Sequence, residues 1–318
     1  FLLMYDGMSD DYVIYTQMSD TGEFCLKLFC VNPAKNLQAC MAKGVSSILF
    51  SATLIPVQYY KKLLGGTEED YEVYADSSFD TKKRALLIGS DVTSKYTRRN
   101  EEEYLKIASY INNIVKERHG NYMIFFPSYS MMENIFGVYQ KYFNPFEDVE
   151  CILQKDYMTE EEREEFLQHF TGNSHLDIQE QIMLPIEIEE KSLLGFCVMG
   201  GIFSEGIDLK QDSLIGVIIV GTGLPLVCPE REILKKYFDD QEGNGFDYAY
   251  RYPGMNKVLQ AAGRVIRTEE DIGVVVLLDE RFLQNTYTRL FPREWSDYNI
   301  VRENTVGKQV EKFWNEWL

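Results

Sequence analysis

Three side chains near the end of the chain have the types and the spacing to bind a polyphosphate. If residues 259–267 form one helix, Gln260, Arg264 and Arg267 lie within roughly 60° of each other on one face. Arginine presents a planar, permanently charged fork of N–H donors that matches phosphate oxygens. An arginine supplied to a transferring phosphoryl group raises the rate by about 10³–10⁵. The spacing also fits an ordinary surface helix whose arginines pair with the acidic residues that follow, Glu269, Glu270 and Asp271.

The stretch that contains these residues resembles a known helicase motif. Residues 260–281 are similar to motif VI of the iron–sulfur class of superfamily 2 helicases, the DinG and XPD group. The resemblance implies that Gln260, Arg264 and Arg267 are catalytic residues of the second motor domain. Four further residues stand where that family has them: Asp271, Gly273, Asp279 and Arg281.

A glycine-rich segment after an apolar run resembles motif V of the same family. Residues 200–209 begin with two glycines, which permit a tight turn where a strand ends, and ligands bind at that edge of open α/β sheets. Asp208 could accept a hydrogen bond from a ribose hydroxyl. A glycine-rich turn with a helix-capping acid is the alternative. We assign Glu205, Gly206 and Asp208 to nucleotide binding, and Phe203 and Ser204 to nucleic-acid binding.

The end of another apolar run resembles motif IV. Residues 125–129 place Ser128 and Tyr129 directly after a proline, at the predicted start of a helix. A hydroxyl and an aromatic ring can bind a phosphate and stack on a base without reading sequence. In the family this element touches the backbone of the single strand. We therefore predict that Ser128 and Tyr129 contact single-stranded DNA; a capping serine beside a core tyrosine is the alternative.

Residues 47–54 resemble motif III, in which a strand of the first motor domain ends. The resemblance implies that Ser51, Ala52 and Thr53 couple the state of the nucleotide to the DNA groove. Residues 1–75 are then predicted to be the C-terminal remnant of helicase domain 1 with a linker. Residues 76–318 are predicted to be the RecA-like C-terminal domain.

Several features of the family cannot be found in this sequence. It contains no phosphate loop of the G-x-x-x-x-G-K-[ST] type, no acidic metal-binding run after a strand, and no identifiable iron–sulfur cluster ligands. Family members carry these elements before motif III, so we interpret the sequence as truncated at its N-terminus. We expect ATP and Mg²⁺ in the intact enzyme, the missing N-terminal helicase domain as a partner, no metal site here, and an inactive chain by itself.

The apolar pattern predicts the fold class. Continuous apolar runs of strand length occur at residues 193–199, 214–220 and 273–278, and an amphipathic helical pattern covers residues 101–118. Strands that are apolar on both faces indicate a parallel sheet covered on both sides. We predict an α/β fold: a RecA-like parallel sheet with helices on both faces (helicase domain 2), preceded by the tail of helicase domain 1.

Local signals predict some boundaries. Residues 45–50 form an apolar run that predicts a strand, and residues 65–80 have the polar composition of a connector. Capping-box patterns at Ser130 and Thr159 predict helix starts. Aromatic residues near the end, including Trp314, indicate a C-terminal helix that packs on the domain.

Composition limits the possible functions. The 318 residues include 50 acidic and 32 basic side chains, a formal charge of −18. General polyanion binders are usually basic, so any DNA contact must be local or shared with other parts. Lys95, Arg98 and Arg99 could meet DNA phosphates or could be exposed charge at a helix start. The six cysteines form no C-x-x-C pair, and no apolar run reaches the ~18 residues of a membrane span. We expect a cytoplasmic protein of undetermined oligomeric state.

Two other functions compete with a motor domain. Gly221 and Gly223 begin a turn like that of a dinucleotide-binding protein, but the third glycine is missing and Pro225 lies in the turn. A non-catalytic RecA-like module that regulates a partner would have the same fold without a complete site. The residues before Phe1 would separate that module from a helicase.

Overall fold

Residue contacts divide the chain into two units, residues 1–75 with 225–254 and residues 76–224 with 255–318. The structure, a computed structural model, describes Tyr5 and residues 8–19, 21–171, 191–203 and 213–317. The described strands are, in chain order, β1 (Tyr12–Met18), β2 (Phe24–Cys30), β3 (Arg84–Gly89), β4 (Asn121–Phe126), β5 (Val149–Leu153), β6 (Ser192–Val198), β7 (Gly216–Val220), β8 (Gly273–Leu278) and β9 (Asn299–Val301). The described α-helices are α1 (Ala34–Met41), α2 (Val57–Leu63), α3 (Glu101–Val115), α4 (Tyr129–Tyr142), α5 (Glu160–Thr171), α6 (Pro229–Glu242), α7 (Tyr252–Ala262), α8 (Asn285–Thr288) and α9 (Val306–Trp317).

The second unit is built on a seven-stranded sheet with the order β5-β6-β4-β7-β8-β3-β9. Every pair of neighbouring strands is parallel. The carboxyl ends of the strands therefore share one edge of the sheet, here called the carboxyl edge, and their amino ends share the opposite amino edge. The predicted α/β fold with a parallel sheet is confirmed.

Helices cover both faces of this sheet. On one face, alternate strand residues such as Ile124 and Val276 join a core cluster with residues of α3, α4 and α9. On the other face α5 packs so closely on β6 that a Cβ added at Gly195 would lie 2.5 Å from the ring of Phe170. Burial on both sides explains why the strands are continuous apolar runs and not alternating patterns.

The amphipathic helix predicted at residues 101–118 corresponds to α3. Asn100 caps it, since its side chain accepts a hydrogen bond from the backbone N–H of Glu103 at 2.8 Å. Ile107, Ile111 and Ile114 follow at helical spacing and are fully buried. The stripe on α3 therefore supplies much of one layer of the core, as the pattern predicted.

The first unit contains an antiparallel pair, β1 with β2, and the helices α1, α2 and α6. The sequence prediction assigned residues 225–254 to the C-terminal domain, whereas the structure groups them with this unit. Two ion pairs of 2.8 Å, Lys27 with Glu230 and Lys62 with Glu242, join α6 to β2 and α2. Tyr59 of α2 also packs on Tyr248, with the ring centroids 4.9 Å apart. The predicted boundary at residues 75 and 76 lies where the first segment of the unit ends.

Two local predictions differ from the structure, and one is confirmed. Residues 45–50 are not in a strand, and the side chains of Ile48 and Phe50 are exposed, because an apolar run forms a strand only where a partner strand pairs with it. Helix α4 is capped by Ser128 and not by Ser130. The capping box at α5 is present: Thr159 and Glu162 exchange backbone-to-side-chain hydrogen bonds of 2.9 and 3.2 Å.

We predict that Trp314→Ala lowers the free energy of unfolding of this chain by about 3–5 kcal/mol, because it opens a cavity in the core. Trp314 lies on α9 and its side chain is buried. The guanidinium carbon of Arg118 lies 4.1 Å from the centroid of its ring. The neighbouring Asn315 is exposed, so Asn315→Ala is the matched control and should change stability by less than about 0.5 kcal/mol. Chemical denaturation followed by circular dichroism measures both. Equal unfolding midpoints for the two variants would contradict the packing of α9.

Candidate functional site

The three predicted catalytic residues do not lie on one helix face. Helix α7 ends at Ala262, so Gln260 is in its last turn, whereas Arg264 and Arg267 follow the helix. The backbone N–H of Arg264 bonds to the carbonyl of Ala261 at 3.2 Å, which tightens the turn as the helix ends. The single-helix prediction was wrong here, because the sequence pattern did not show that the chain leaves the helix at Gly263.

A buried carboxylate shapes the segment that carries the two arginines. Asp271 accepts hydrogen bonds from the backbone N–H groups of Arg267 and Thr268, both at 2.7 Å. Where β8 begins, a Cβ added at Gly273 would collide with the side chain of Val265. The segment is thus held against the amino edge of the sheet, and the side chains of Gln260, Arg264 and Arg267 are half-buried there.

The predicted glycine turn is present after β6. Gly200 has a φ of 72°, a left-handed conformation that favours glycine. Phe203, which follows the turn, is only 1% exposed and stacks on Phe166 of α5 with ring centroids 4.1 Å apart. Its ring is part of the core, so the prediction that Phe203 contacts nucleic acid is not supported. The other predicted residues of this segment, Ser204, Glu205, Gly206 and Asp208, lie outside the described residues.

The predicted nucleic-acid contacts Ser128 and Tyr129 lie at the carboxyl edge, directly after β4. Ser128 is the N-cap of α4, and its Oγ accepts a hydrogen bond from the backbone N–H of Met131 at 3.4 Å. Tyr129 is half-buried, and this burial raises the pKa of its hydroxyl, so the phenol is neutral at physiological pH. A capped, 14-residue helix thus begins at this edge with its amino end half-exposed.

Gln154 connects the two segments at this edge, and sequence reasoning missed it. Its carboxamide oxygen accepts the backbone N–H of Val198 at 2.9 Å, and its Nε2 donates to the Tyr129 hydroxyl at 2.8 Å. The side chain is 3% exposed, and a Cβ added at Gly201 would lie 2.8 Å from its Nε2. One buried amide therefore joins the ends of β4, β5 and β6. In the sequence Gln154 is the first of three polar residues after a short apolar run, and this pattern gave no signal of its role.

A second buried network lies further along the carboxyl edge. Asp279, fully buried after β8, pairs with Arg281 at 2.7 Å and accepts the backbone N–H of Ser94 at 2.8 Å. Burial alone would raise the pKa of Asp279, but the Arg281 guanidinium and these hydrogen bonds outweigh it and hold the pKa below its usual range. The network ties the loop after β3 to the end of β8.

The predicted coupling residues belong to the first unit. Ser51, Ala52 and Thr53 form a turn in which the Oγ of Ser51 accepts the backbone N–H of Thr53 at 3.2 Å. Ser51 and Ala52 are exposed. The structure shows no strand leading into this turn, and its role in coupling stays a prediction.

Among the described residues there is no group of His, Cys, Asp or Glu side chains arranged to hold a metal ion. All six cysteines are free thiols. Within the same described part of the chain, no helix is long and apolar enough to cross a membrane.

Comparison with known proteins identifies relatives of this architecture. Residues 111–298 match the family described as the helicase C-terminal domain. A regulator of telomere elongation helicase 1 homolog from Caenorhabditis briggsae is 26% identical, over 93% of this chain and 31% of that protein. The ATP-dependent DNA helicase XPD from Sulfolobus acidocaldarius is 29% identical, over 75% of this chain and 39% of that protein. The chain thus spans about a third of the length of these curated relatives.

Solved structures agree on the fold. A structure named XPD_Helicase superposes with a TM-score of 0.62 and 20% identity, over 95% of this chain and 49% of that one. A second, named XPD_APO, gives a TM-score of 0.63 and 22% identity, over 95% of this chain and 56% of that one. At these identities the match supports the RecA-like fold of the sheet.

We predict that Gln154→Leu lowers the free energy of unfolding by about 1–3 kcal/mol, because it removes the buried carboxamide that bonds to the N–H of Val198 and to the hydroxyl of Tyr129. Gln168→Leu on the exposed face of α5 is the matched control and should be nearly neutral. Tyr129→Phe and the double variant complete a mutant cycle, and a coupling of about 0.5 kcal/mol or more is expected for residues in contact. Additive effects would show that Gln154 does not hold Tyr129.

Proposed function

Because the chain belongs to the helicase C-terminal domain family, of the DinG and XPD type, we propose that it is the second motor domain of an ATP-dependent helicase that moves on single-stranded DNA. One observation carries the proposal. A single buried parallel sheet has two arginines and a glutamine held at its amino edge and the half-exposed start of a capped helix at its carboxyl edge. The first group suits a polyphosphate and the second suits a phosphodiester strand.

At the amino edge, we propose that Gln260, Arg264 and Arg267 contact the phosphates of ATP. The buried Asp271 supports this role, since it fixes the backbone that carries Arg267 and so reduces the entropy lost when the guanidinium binds. Glu205, Gly206 and Asp208 remain the predicted contacts to the rest of the nucleotide. The first motor domain is proposed to supply the phosphate loop and the ligands of Mg²⁺, whose charge would neutralise the β- and γ-phosphates.

At the carboxyl edge, we propose that the first turn of α4 holds a phosphate of the strand. Free backbone N–H groups and the helix dipole favour an anion at a helix start, and the Ser128 hydroxyl can donate while its oxygen caps the helix. The ring of Tyr129 would lie beside the sugar or base. Ser204, which lies outside the described residues, remains a predicted contact to the strand. Ser51, Ala52 and Thr53 are the predicted coupling residues in the first unit.

The mechanism follows from the rigidity of the sheet between the two edges. When ATP draws the arginine segment toward the first motor domain, the sheet moves as one body and α4 moves with it. Hydrolysis would release the arginines and allow the return movement. Alternating closure and release would then shift the strand relative to the first domain.

We predict that this chain by itself does not hydrolyse ATP. Without Mg²⁺ and a phosphate loop, the arginines alone do not neutralise the negative charge of the β- and γ-phosphates. A steady-state phosphate-release assay with and without single-stranded DNA measures this. The full-length protein is the positive control and should show DNA-stimulated turnover. DNA-stimulated hydrolysis by residues 1–318 would refute the assignment. No hydrolysis by the full-length protein would favour a non-catalytic module that regulates a partner.

We predict that Arg264→Ala in the full-length protein lowers kcat for ATP by about 10³-fold or more while leaving the affinity for single-stranded DNA unchanged. Arg264→Lys keeps the charge but loses the planar fork, so it should recover only part of the rate. The exposed Arg302 provides the control variant Arg302→Ala. ATP turnover and fluorescence anisotropy with a labelled oligonucleotide measure the two properties. Turnover by Arg264→Ala at the rate of Arg302→Ala would remove this arginine from the mechanism.

A further inference from the structure

The loop between β3 and α3, residues 90–100, presents an exposed aromatic ring beside a cation. The side chain of Tyr96 is 84% exposed. The guanidinium carbon of Arg99 lies 5.6 Å from the centroid of this ring. A ring held by an arginine and still largely open to solvent can accept a further planar group by stacking.

Buried hydrogen bonds hold this loop in place. Thr93 donates its backbone N–H to the buried carboxylate of Glu103 at 2.6 Å. Ser94 donates both its backbone N–H and its hydroxyl to Asp279 at 2.8 Å, and Asp279 in turn pairs with Arg281. The base of the loop is therefore fixed to α3 and to the end of β8. A fixed base presents Tyr96 in one place, which lowers the entropy lost on binding.

The loop lies next to the proposed strand contact at the carboxyl edge. Gly221, in the turn after β7, has a φ of 84°. A Cβ added there would collide with the Oγ of Ser94 and would lie 3.8 Å from the ring of Pro127. The turn after β7 thus contacts the base of the loop on one side and the residue before Ser128 on the other. These three segments are therefore neighbours at the carboxyl edge.

Charge distinguishes Arg99 from the two other cations of the loop. Lys95 and Arg98 both pair with Glu280, at 2.8 and 3.4 Å. Arg99 instead donates its Nε–H to the carbonyl of Ser94 at 3.2 Å, and within the described residues no carboxylate lies at ion-pair distance from it. Its terminal N–H groups can therefore meet an external anion. The chain has a net charge of −18 and would repel an acidic ligand, so a local cation such as Arg99 favours binding of that ligand.

We propose that Tyr96 and Arg99 form a further contact for single-stranded nucleic acid, in which a base stacks on Tyr96 and a phosphate binds Arg99. The inference rests on the proposed function, because it extends the strand from the start of α4 across the turn after β7 to this loop. An aromatic ring beside a guanidinium suits a strand of alternating bases and phosphates without selecting a sequence.

The first arm of the test measures stacking. Full-length protein is titrated into a labelled oligothymidylate of about 20 nucleotides, longer than the usual single-strand site, and binding is followed by fluorescence anisotropy. Tyr96→Ala is expected to weaken binding by about 10-fold, as for the loss of one stacked base, whereas Tyr96→Phe keeps the ring and should bind like wild type. Tyr142→Ala is the matched control, because Tyr142 is 47% exposed beside Lys141 but lies at the far end of α4.

The second arm measures the phosphate contact. The logarithm of the affinity falls linearly with the logarithm of the salt concentration, by about 0.7 for each single-strand phosphate neutralised. Arg99→Ala should reduce this slope by about 0.7, and Arg99→Lys should restore it, since a lysine also neutralises a phosphate. Tyr96→Ala should leave the slope unchanged, because stacking releases no counterions. Circular dichroism checks that each variant is folded.

The outcomes separate the two proposals. If the wild-type protein does not bind the oligonucleotide, the proposed function fails. If the wild type binds and the folded variants Tyr96→Ala and Arg99→Ala bind as well as Tyr142→Ala, the proposed function stands and the contact at this loop is wrong. A loss limited to Tyr96→Ala and Arg99→Ala, with the salt slope changed by Arg99→Ala alone, is the expected result.

Discussion

The parallel alignment of all seven strands in one sheet is the constraint on which the rest of the second unit depends. A parallel strand can pair with its neighbour only if the chain returns to the starting edge each time, so every connection crosses a face of the sheet. These crossings cover both faces with helices and bury the five inner strands, whereas the edge strands β5 and β9 stay partly exposed. They also bring the segments that follow β3, β4, β5, β6, β7 and β8 to the same edge. Neighbouring strands are about 4.8 Å apart, so residues distant in sequence become neighbours there.

Two buried polar networks turn this shared edge into a defined surface. Gln154 joins the ends of β4, β5 and β6, and Asp279 with Arg281 joins the end of β8 to the loop after β3. A buried polar group without a partner costs about 1–3 kcal/mol, so each network stabilises the one loop arrangement that satisfies it. The apolar core alone would be compatible with several arrangements of these loops. The half-exposed side chains at this edge are therefore presented by loops with a fixed geometry.

The two edges of the sheet present different chemistry. The amino edge of β8 carries the arginine segment held by Asp271, whereas the carboxyl edge carries the start of α4 and the loop with Tyr96. A close-packed sheet transmits displacement from one edge to the other because its interior is hard to compress. This separation suits a motor domain, in which a nucleotide and a strand must be bound at once without competing for the same surface.

Local sequence determined the parts of this protein that depend on neighbouring residues. The buried strands appear as apolar runs, α3 as a stripe at helical spacing, and α5 as a capping box, since each of these signals lies within a few residues of the element it specifies. The types of the residues around Gln260, Arg264 and Ser128 were also enough to indicate the family. The family and the parallel α/β fold could therefore be predicted from sequence.

Only the tertiary structure decided which residues meet. Gln154 bonds to a residue 44 positions away and Ser94 to one 185 positions away, and no local pattern reports such distances. The same limit explains the differences at Phe203, which is buried by α5, and at residues 45–50, which lack a partner strand in the described chain. It also explains why residues 225–254 group with the first unit. Polarity along the chain shows which side chains can be buried, but the partner that buries each of them is set by the order of strands and the packing of helices.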